Sequence, residues 1–126
     1  MEFTLTETFN ATPEELYQAW LDEDKHSAMT GSPAIISDSI GDGFESWDGY
    51  IWGINISLTA NERILQSWRT SDFTDEEADS RVEILLKATD NGTELTLHHT
   101  DLPEHGEQYI QGWKDHYFKP MKDYFG

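Results

Sequence analysis

The hydrophobic pattern at the start of the chain predicts a strand followed by one or two short helices. The segment FTLTETF alternates polar and apolar residues with a period of two, which is typical of a half-buried strand. In NATPEELYQAWL, Thr12 is a favourable N-cap, Pro13 fits the first helical position and Glu15 completes a capping box. The next segment, DEDKHSAMTGSP, is compatible with a second short helix or with a loop.

The centre of the chain predicts an antiparallel meander. Six more segments have the composition and spacing of strands: AIISDS, GFESW, YIWGINISL, RILQSWR, SRVEILLKAT and TELTLHHT. Their connections are short, and the Asp90–Gly92 connection carries an Asn-Gly hairpin signal. Short connections between strands favour antiparallel pairing.

The C-terminal segment, from about Gly106, predicts a long helix that covers the sheet. Tyr109, Trp113, Tyr117 and Met121 are spaced four apart and share one face, which Ile110 and Tyr124 are expected to widen. Pro120 removes one backbone hydrogen bond and clashes with the preceding turn, so we expect the helix to kink near His116. The chain is therefore predicted to form a single α+β domain over residues 1–126.

Strand parity predicts a mostly apolar inner face that also carries a few polar groups. Three polar residues fall on this face, and tryptophans fall on it or on the covering helix. One interpretation is a ligand pocket lined by aromatic and polar groups; the other is core packing, with the polar groups bonded to the backbone. The candidate ligand-binding residues are Glu7, Trp47, Trp52, Gln66, Trp68, His99, Trp113 and Tyr117.

Composition narrows the classes of function. Eight Lys and Arg against 25 Asp and Glu give a net charge of −17, which disfavours nucleic acid and anionic membrane surfaces as partners. Cysteine is absent, which excludes disulfides and thiolate metal sites. No apolar run has membrane-spanning length and the N-terminus has no basic region, so we expect a cytoplasmic protein. The acidic run SDFTDEEADS fits either a solvated loop or a handle for a basic partner.

Catalytic and metal-binding patterns are sparse. His98 and His99 are adjacent in a predicted strand and point to opposite faces, so no metal site is expected. No G-x-S-x-G motif is present and no cofactor is expected. The one acid–base pair worth considering is Glu7 with His99, since burial could raise the pKa of the carboxyl group.

Four segments carry a resemblance to a known family. FTLTETFNATPEELYQAW, DGYIWGINISL, RILQSWR and GWKDHYFKPMKDYFG together resemble the C-terminal domain of the activators of the ninety-kilodalton heat-shock chaperone's ATPase. That family lies within the START-like (SRPBCC), birch-allergen-like helix-grip superfamily. The resemblance implies a curved antiparallel sheet of about seven strands wrapped around a long C-terminal helix, with two short helices after the first strand.

The resemblance leaves three hypotheses for function. The first is a noncatalytic binding domain with a co-chaperone or stress-related role, whose partner is a heat-shock-protein-90-type chaperone. The second is a carrier or sensor that holds a hydrophobic small molecule in an internal cavity. The third is an enzyme resembling the cyclases and hydratases of the superfamily. The activators also carry an N-terminal docking domain, with a motif rich in Asn and Trp followed by Trp-x-Glu, that has no counterpart in these 126 residues.

Overall fold

The computed structural model describes residues 1–126 as a six-stranded antiparallel sheet covered on one face by helices. The order of strands in the sheet is β1-β6-β5-β4-β3-β2, so β2 to β6 form a meander and β1 closes against β6. The strands are β1 (Phe3–Phe9), β2 (Gly43–Ser46), β3 (Ile51–Thr59), β4 (Arg63–Thr70), β5 (Ser80–Thr89) and β6 (Gly92–Thr100). The α+β helix-grip architecture predicted from the sequence is confirmed.

The two short helices after β1 begin where local side chains cap them. Helix α1 (Pro13–Leu21) starts with the predicted capping box, because Thr12 Oγ1 accepts from the Glu15 amide at 3.1 Å and the Glu15 carboxylate accepts from the Thr12 amide at 3.0 Å. Helix α2 (Glu23–Thr30) is capped by Asp22, whose carboxylate accepts from the Lys25 amide. The second segment is therefore a helix.

The C-terminal helical segment accommodates its proline through a π turn. It runs through a 3₁₀ turn (Glu104–Glu107), α3 (Gln108–Trp113), the π turn (Lys114–Phe118) and α4 (Lys119–Phe125). The Lys119 amide donates to the Lys114 carbonyl, five residues back, and Pro120 sits in the first turn of α4. Near His116, where a kink was expected, the structure has a π turn. No helix in the structure combines the length and apolarity that crossing a membrane requires.

The predicted inner face of the helical segment is confirmed except at Tyr124, which is exposed. Tyr109, Trp113, Tyr117 and Met121 are all buried against the sheet. They join one hydrophobic core that also includes residues from α1, α2 and all six strands. The helical segment is therefore the cover of the sheet, as the four-residue spacing predicted.

The AIISDS segment is not a strand, so the sheet has six strands rather than about seven. Ile35 makes a single bridge to Glu45 on the edge strand β2, with two backbone hydrogen bonds of 2.9 and 2.8 Å. The chain then leaves the sheet, because the Asn55 side-chain amide donates to the carbonyl groups of Ser37 and Ser39 at 2.8 and 3.1 Å. These side-chain contacts take the place of a further strand ladder.

A β-bulge in β3 reverses which side chains face the core. Pairing with β4 shifts register between Asn55 and Ser57. Before the bulge, Ile51 and Asn55 point inward, and after it Leu58 packs against the core. The prediction that Trp52 faces inward is wrong for this reason, and its side chain is 37% exposed on the outer face.

Glycine at position 53 is required by a close approach between β3 and β4. A Cβ atom there would lie 1.9 Å from the Ser67 carbonyl oxygen, which is backbone and cannot move aside independently. We expect Gly53→Ala to lower the free energy of unfolding by about 2–3 kcal/mol or more, because the two strands must separate. Urea denaturation measures this loss, provided that the dependence of the free energy of unfolding on urea concentration has the same slope as in the wild type.

Gly112 provides the matched control for this prediction. A Cβ atom at Gly112 would meet nothing within 4 Å, and the residue lies inside α3. Gly112→Ala should therefore raise the free energy of unfolding by about 0.5–1 kcal/mol through helix propensity. Equal effects of the two substitutions would contradict the strand approach at Gly53.

Candidate functional site

An aromatic groove lies between the C-terminal helical segment and the inner face of the sheet near β2–β4. Its volume is about 460 Å³. Six of its ten lining residues are aromatic, counting only Trp and Tyr. The lining consists of Trp47, Tyr50, Ile51, Trp68, Gln108, Tyr109, Gly112, Trp113, His116 and Tyr117. The floor is buried, whereas Tyr50, Gln108 and His116 are exposed at the rim.

The floor of the groove is a continuous run of packed rings. Trp68 packs edge-on against Tyr109 with ring centroids 4.9 Å apart. Trp113 lies 5.9 Å from Trp68 and 4.9 Å from Tyr117. Such contacts add to the free energy gained by burying the rings, and they fix the ring orientations.

The tyrosine hydroxyl groups of the groove are held by neighbouring polar groups. The Tyr109 hydroxyl hydrogen-bonds Thr70 Oγ1 at 2.7 Å. The Tyr50 hydroxyl donates to the Asp72 carboxylate. Burial raises the pKa of both phenols, and at Tyr50 the hydrogen bond to Asp72 raises it further. Both phenols are therefore neutral throughout the physiological pH range.

The hydroxyl group of Tyr117 is buried at the inner end of the groove, where it is hydrogen-bonded to two other side chains. Its hydroxyl lies 2.9 Å from Ser46 Oγ on β2 and 3.0 Å from Nε2 of His26 on α2. Burial raises the pKa of the Tyr117 phenol and lowers the pKa of His26. His26 Nδ1 in turn contacts the Trp20 carbonyl oxygen at 2.9 Å, so this buried imidazole has partners on both nitrogens.

His99 lies beneath the groove and does not line it. The Trp113 indole donates to His99 Nδ1 at 3.0 Å, so the other nitrogen, Nε2, carries the proton and lies 2.9 Å from Ser80 Oγ. Ser80 Oγ donates onward to the Trp68 carbonyl oxygen at 2.7 Å. Burial lowers the pKa of His99 to about 3, so the imidazole is neutral. Its contacts are structural, and they fix Trp113 and Trp68 in the floor.

Gln66 also belongs to the core rather than to the groove. It accepts from the Trp20 indole at 3.2 Å and donates to the Asn55 side-chain oxygen at 2.8 Å. Both of its polar atoms are therefore satisfied by protein groups. This is the core-packing alternative that the sequence left open for an inward polar residue.

Glu7 and His99 do not form an acid–base pair. In the β1–β6 register Glu7 faces Leu95 and His99 faces Phe3, which places the two about 13 Å apart along the ladder. Partial burial by itself raises the Glu7 pKa, but the hydrogen bonds from Lys122, at 2.8 Å, and from the Thr8 amide outweigh it and lower the pKa. The expectation of a raised pKa at Glu7 is wrong because α4 supplies this lysine.

Trp47 is held over the groove by a strained turn. Trp47, Asp48 and Gly49 have φ values of 52°, 56° and 86°, and the left-handed conformation is uncommon for a bulky residue. The indole packs edge-on against His116 with ring centroids 5.5 Å apart. Its Nε1 is buried without a hydrogen-bond partner. The hairpin between β2 and β3 thus closes one side of the groove at a conformational cost.

The sequence prediction and the groove overlap in part. Of the eight candidate residues, Trp47, Trp68, Trp113 and Tyr117 line the groove, whereas Glu7, Trp52, Gln66 and His99 lie elsewhere. The four lining residues missed on the helical segment, Gln108, Tyr109, Gly112 and His116, lie four positions from one another or from Trp113 and Tyr117. Ile51 was hidden by the incorrect parity of β3, and Tyr50 lies in the turn before β3, where strand parity does not apply.

The groove lining carries few side chains of the kinds that transfer protons or act as nucleophiles. Its lining has one imidazole, His116, and no carboxylate or lysine side chain. No group of three or more His, Asp or Glu residues is arranged to hold a metal ion. What the lining offers is aromatic surface and the side-chain amide of Gln108.

A second surface lies on the outer face of the sheet. Trp52 and Ile54 on β3 are 37% and 49% exposed. Trp52 is flanked in register by Glu45 on β2 and Arg69 on β4. All three arginines of the chain, Arg63, Arg69 and Arg81, lie on outward positions of β4 and β5. Half of the eight basic residues, counting Lys87, therefore lie on this face of a chain whose net charge is −17.

Comparison with known proteins identifies the family. The model of a family described as activator of Hsp90 ATPase homolog 1-like protein matches residues 10–126. The chain belongs to this family. The family resemblance inferred from the four sequence segments is therefore confirmed.

A curated relative agrees with this assignment, and solved structures share the fold. The chain is 32% identical to the human activator of 90 kDa heat shock protein ATPase homolog 1, over 99% of the chain but 37% of that protein. It thus spans little more than a third of the curated relative. A crystal structure of an HSP90 activator from Plasmodium falciparum superposes with a TM-score of 0.89 at 25% identity, covering 98% of this chain and 95% of that one. The Aha1 dimer from Colwellia psychrerythraea shares the fold, with a TM-score of 0.84 at 14% identity, covering 99% and 96%.

The two buried histidines predict how stability depends on pH. Burial depresses the pKa of His99 and His26, so the unfolded chain binds protons that the folded chain does not. The free energy of unfolding should therefore fall as pH drops below about 6.5, by up to about 1.4 kcal/mol per pH unit for each histidine. Glu7, Glu15 and Glu77 have pKa values below the ordinary 4.5, so their contribution to the free energy of unfolding is lost only when the pH falls below about 4.5. Urea denaturation between pH 6.5 and 4.5 isolates the histidines.

His99→Asn should flatten this pH dependence. The asparagine oxygen can still accept from the Trp113 indole, while the titrating group is removed. His98→Asn is the matched control, because His98 lies on the outer face of β6 and bonds Thr4 Oγ1. Equal pH slopes in the wild type and in His99→Asn would show that His99 is not responsible.

Proposed function

We propose that this domain is a noncatalytic co-chaperone module that binds a heat-shock-protein-90-type chaperone through the outer face of the sheet around Trp52. The observation that carries the proposal is the exposed Trp52–Ile54 pair beside the outward arginines, in a domain whose family is that of the chaperone's ATPase activators. We include in the proposal a cytoplasmic, stress-related setting. Membership of the family supports a role with this chaperone class. The proposal includes no catalytic step, and the groove lining has no carboxylate or lysine that would call for one.

The composition of the outer face fits a protein interface. Tryptophan and arginine are enriched among the residues that dominate binding energy. Trp52 is already exposed on the outer face of the sheet, so a partner can bury it without reorganising the fold. Arg69 is already oriented by hydrogen bonds to the Asp79 carboxylate, at 2.9 Å, and to the Thr74 carbonyl oxygen, at 2.6 Å. Pre-oriented side chains lose less entropy on binding.

The charge distribution favours this face over the rest of the surface. With 25 acidic residues, most of the molecule repels an acidic partner. The outward positions of β4 and β5 carry Arg63, Arg69, Arg81 and Lys87 against the single acidic residue Glu83. Arg63 is paired with Glu83 at 2.7 Å and Arg69 with Asp79 at 2.9 Å, so Arg81 and Lys87 give this part of the face its positive balance.

A titration followed by amide NMR tests the proposal. The chain is titrated with the chaperone of its own organism at low and moderate salt. We expect saturable shifts around β3 and β4, and we expect Trp52→Ala to weaken binding about tenfold or more, as for an anchoring interface residue. Because Trp52 is partly exposed and outside the core, the variant should keep its fold.

Tyr124→Ala is the matched control for Trp52→Ala. Tyr124 is 44% exposed on α4, away from the outer face of the sheet. Its substitution should leave the affinity unchanged. Absence of shifts at both salt concentrations, or equal affinities of wild type and Trp52→Ala, would overturn the proposal.

We propose a small-molecule carrier or sensor as the second candidate function. The observation that favours it is the 460 Å³ groove, which is within the size range of small-molecule sites and lined mostly by apolar rings. This function does not compete with the first, since the groove and Trp52 lie on opposite faces of the sheet. A cyclase-like reaction is not proposed, because the Glu7–His99 pair on which it rested does not form.

A further inference from the structure

The aromatic groove has the character of a site for positively charged organic molecules. Trp47, Tyr50, Trp68, Tyr109, Trp113 and Tyr117 supply six electron-rich rings around one space. The negative face of such a ring attracts a cation, and the attraction grows when water is displaced. A purely apolar ligand needs only hydrophobic walls, which aliphatic side chains supply equally well, yet Ile51 is the single aliphatic residue in the lining.

The hydroxyl groups of the tyrosines are already engaged. Tyr109 bonds Thr70, Tyr50 bonds Asp72, and Tyr117 lies between Ser46 and His26. A ligand therefore meets the rings rather than free hydroxyl groups. Such a lining offers few hydrogen bonds to a neutral polar ligand and favours binding through the π surface.

The electrostatic environment of the groove is negative. No lysine or arginine lines it, and the carboxylate of Asp72 is hydrogen-bonded to the rim residue Tyr50. Burial is the main cause of the raised pKa of both Tyr50 and Tyr109, and the nearby negative charge of Asp72 acts in the same direction. The net charge of −17 raises the local concentration of cations and lowers that of anions.

We propose that the groove binds organic ammonium ions that carry an apolar body, with the cationic group against the rings and Asp72 beside it. This inference rests on the second candidate function above and specifies its ligand class. The volume of about 460 Å³ accommodates an alkylated ammonium group together with an aromatic or aliphatic portion.

A set of probes that differ in charge but not in shape tests this inference. The full chain is titrated by NMR with benzyltrimethylammonium, with its uncharged carbon isostere neopentylbenzene, and with phenylmethanesulfonate as the anion. Choline and 3,3-dimethylbutan-1-ol form a second, fully soluble pair. We expect each cation to bind about threefold to thirtyfold tighter than its isostere, and the anion not to bind. Indole resonances of Trp47, Trp68 and Trp113 report on the groove directly.

Two substitutions locate the binding. Gly112→Leu should fill the groove and abolish binding of the probes, because space beside Gly112 is open and the substitution suits a helix. Gln111→Leu is its control, since Gln111 is exposed and outside the lining. Tyr50→Leu should weaken cation binding about fivefold, whereas Tyr50→Phe, which keeps the ring, should weaken it less.

Each outcome has a definite meaning. If the neutral isosteres bind as tightly as the cations or more tightly, and Gly112→Leu abolishes that binding, the cation preference is overturned and the carrier function stands. No saturable shift in the groove with any probe would overturn both. Cation-induced shifts that persist in Gly112→Leu and vanish in 0.5 M salt would show general attraction to the acidic surface, and would also overturn the inference. Groove shifts that survive that salt concentration and favour the cations support it.

Discussion

The two layers of this domain are held together by three aromatic side chains of the C-terminal segment, each fastened to a different strand. Tyr109 bonds Thr70 on β4, the Trp113 indole bonds His99 on β6, and Tyr117 contacts Ser46 on β2. The spacing of four residues places all three on one helical face. Each side chain buries a large apolar ring and also satisfies its own polar atom, so the layers gain hydrophobic energy without leaving a buried donor unpaired.

The same three contacts explain why a groove remains beside the helix. Each ring is held by its attachment to the helix at one end and by the hydrogen bond of its polar atom at the other, so it cannot move into the neighbouring space. Gly112 adds no side chain that would fill this space. The π turn at Lys114–Phe118 keeps Tyr117 and Met121 on the inner face despite Pro120. A π turn inserts one extra residue into the helical ladder, which is how the chain combines a proline with a continuous buried face.

The sequence was informative wherever structure depends on local spacing. The capping box at Thr12 and the aromatic stripe from Tyr109 to Met121 depend on residues within a few positions of one another. It failed where a distant partner decides the outcome. The bulge in β3 depends on how that strand pairs with β4. Strand parity grouped Trp52 with the inward Leu58, but the bulge lies between them, so the two side chains point to opposite faces.

Other failures have the same origin. The AIISDS segment has strand composition, but the Asn55 side chain, from a later strand, takes up its carbonyl groups. Glu7 was expected to be an unusual buried acid, but Lys122 reaches it from the opposite end of the chain. Of the four candidate residues that line the groove, Trp113 and Tyr117 followed from helical periodicity and Trp68 from strand parity. The orientation of β3 required the sheet register, which periodicity does not contain.

The bulge also determines how the two proposed functions relate to each other. Upstream of it, Ile51 points into the groove and the adjacent Trp52 points to the outer face. Because successive side chains of a strand lie on opposite sides of the sheet, a partner at Trp52 and a ligand at Ile51 can be bound together without steric conflict. Trp52 contributes no ring to the groove, so substitutions there change one surface and leave the other intact. The chaperone and ligand hypotheses are therefore separable in a single set of variants.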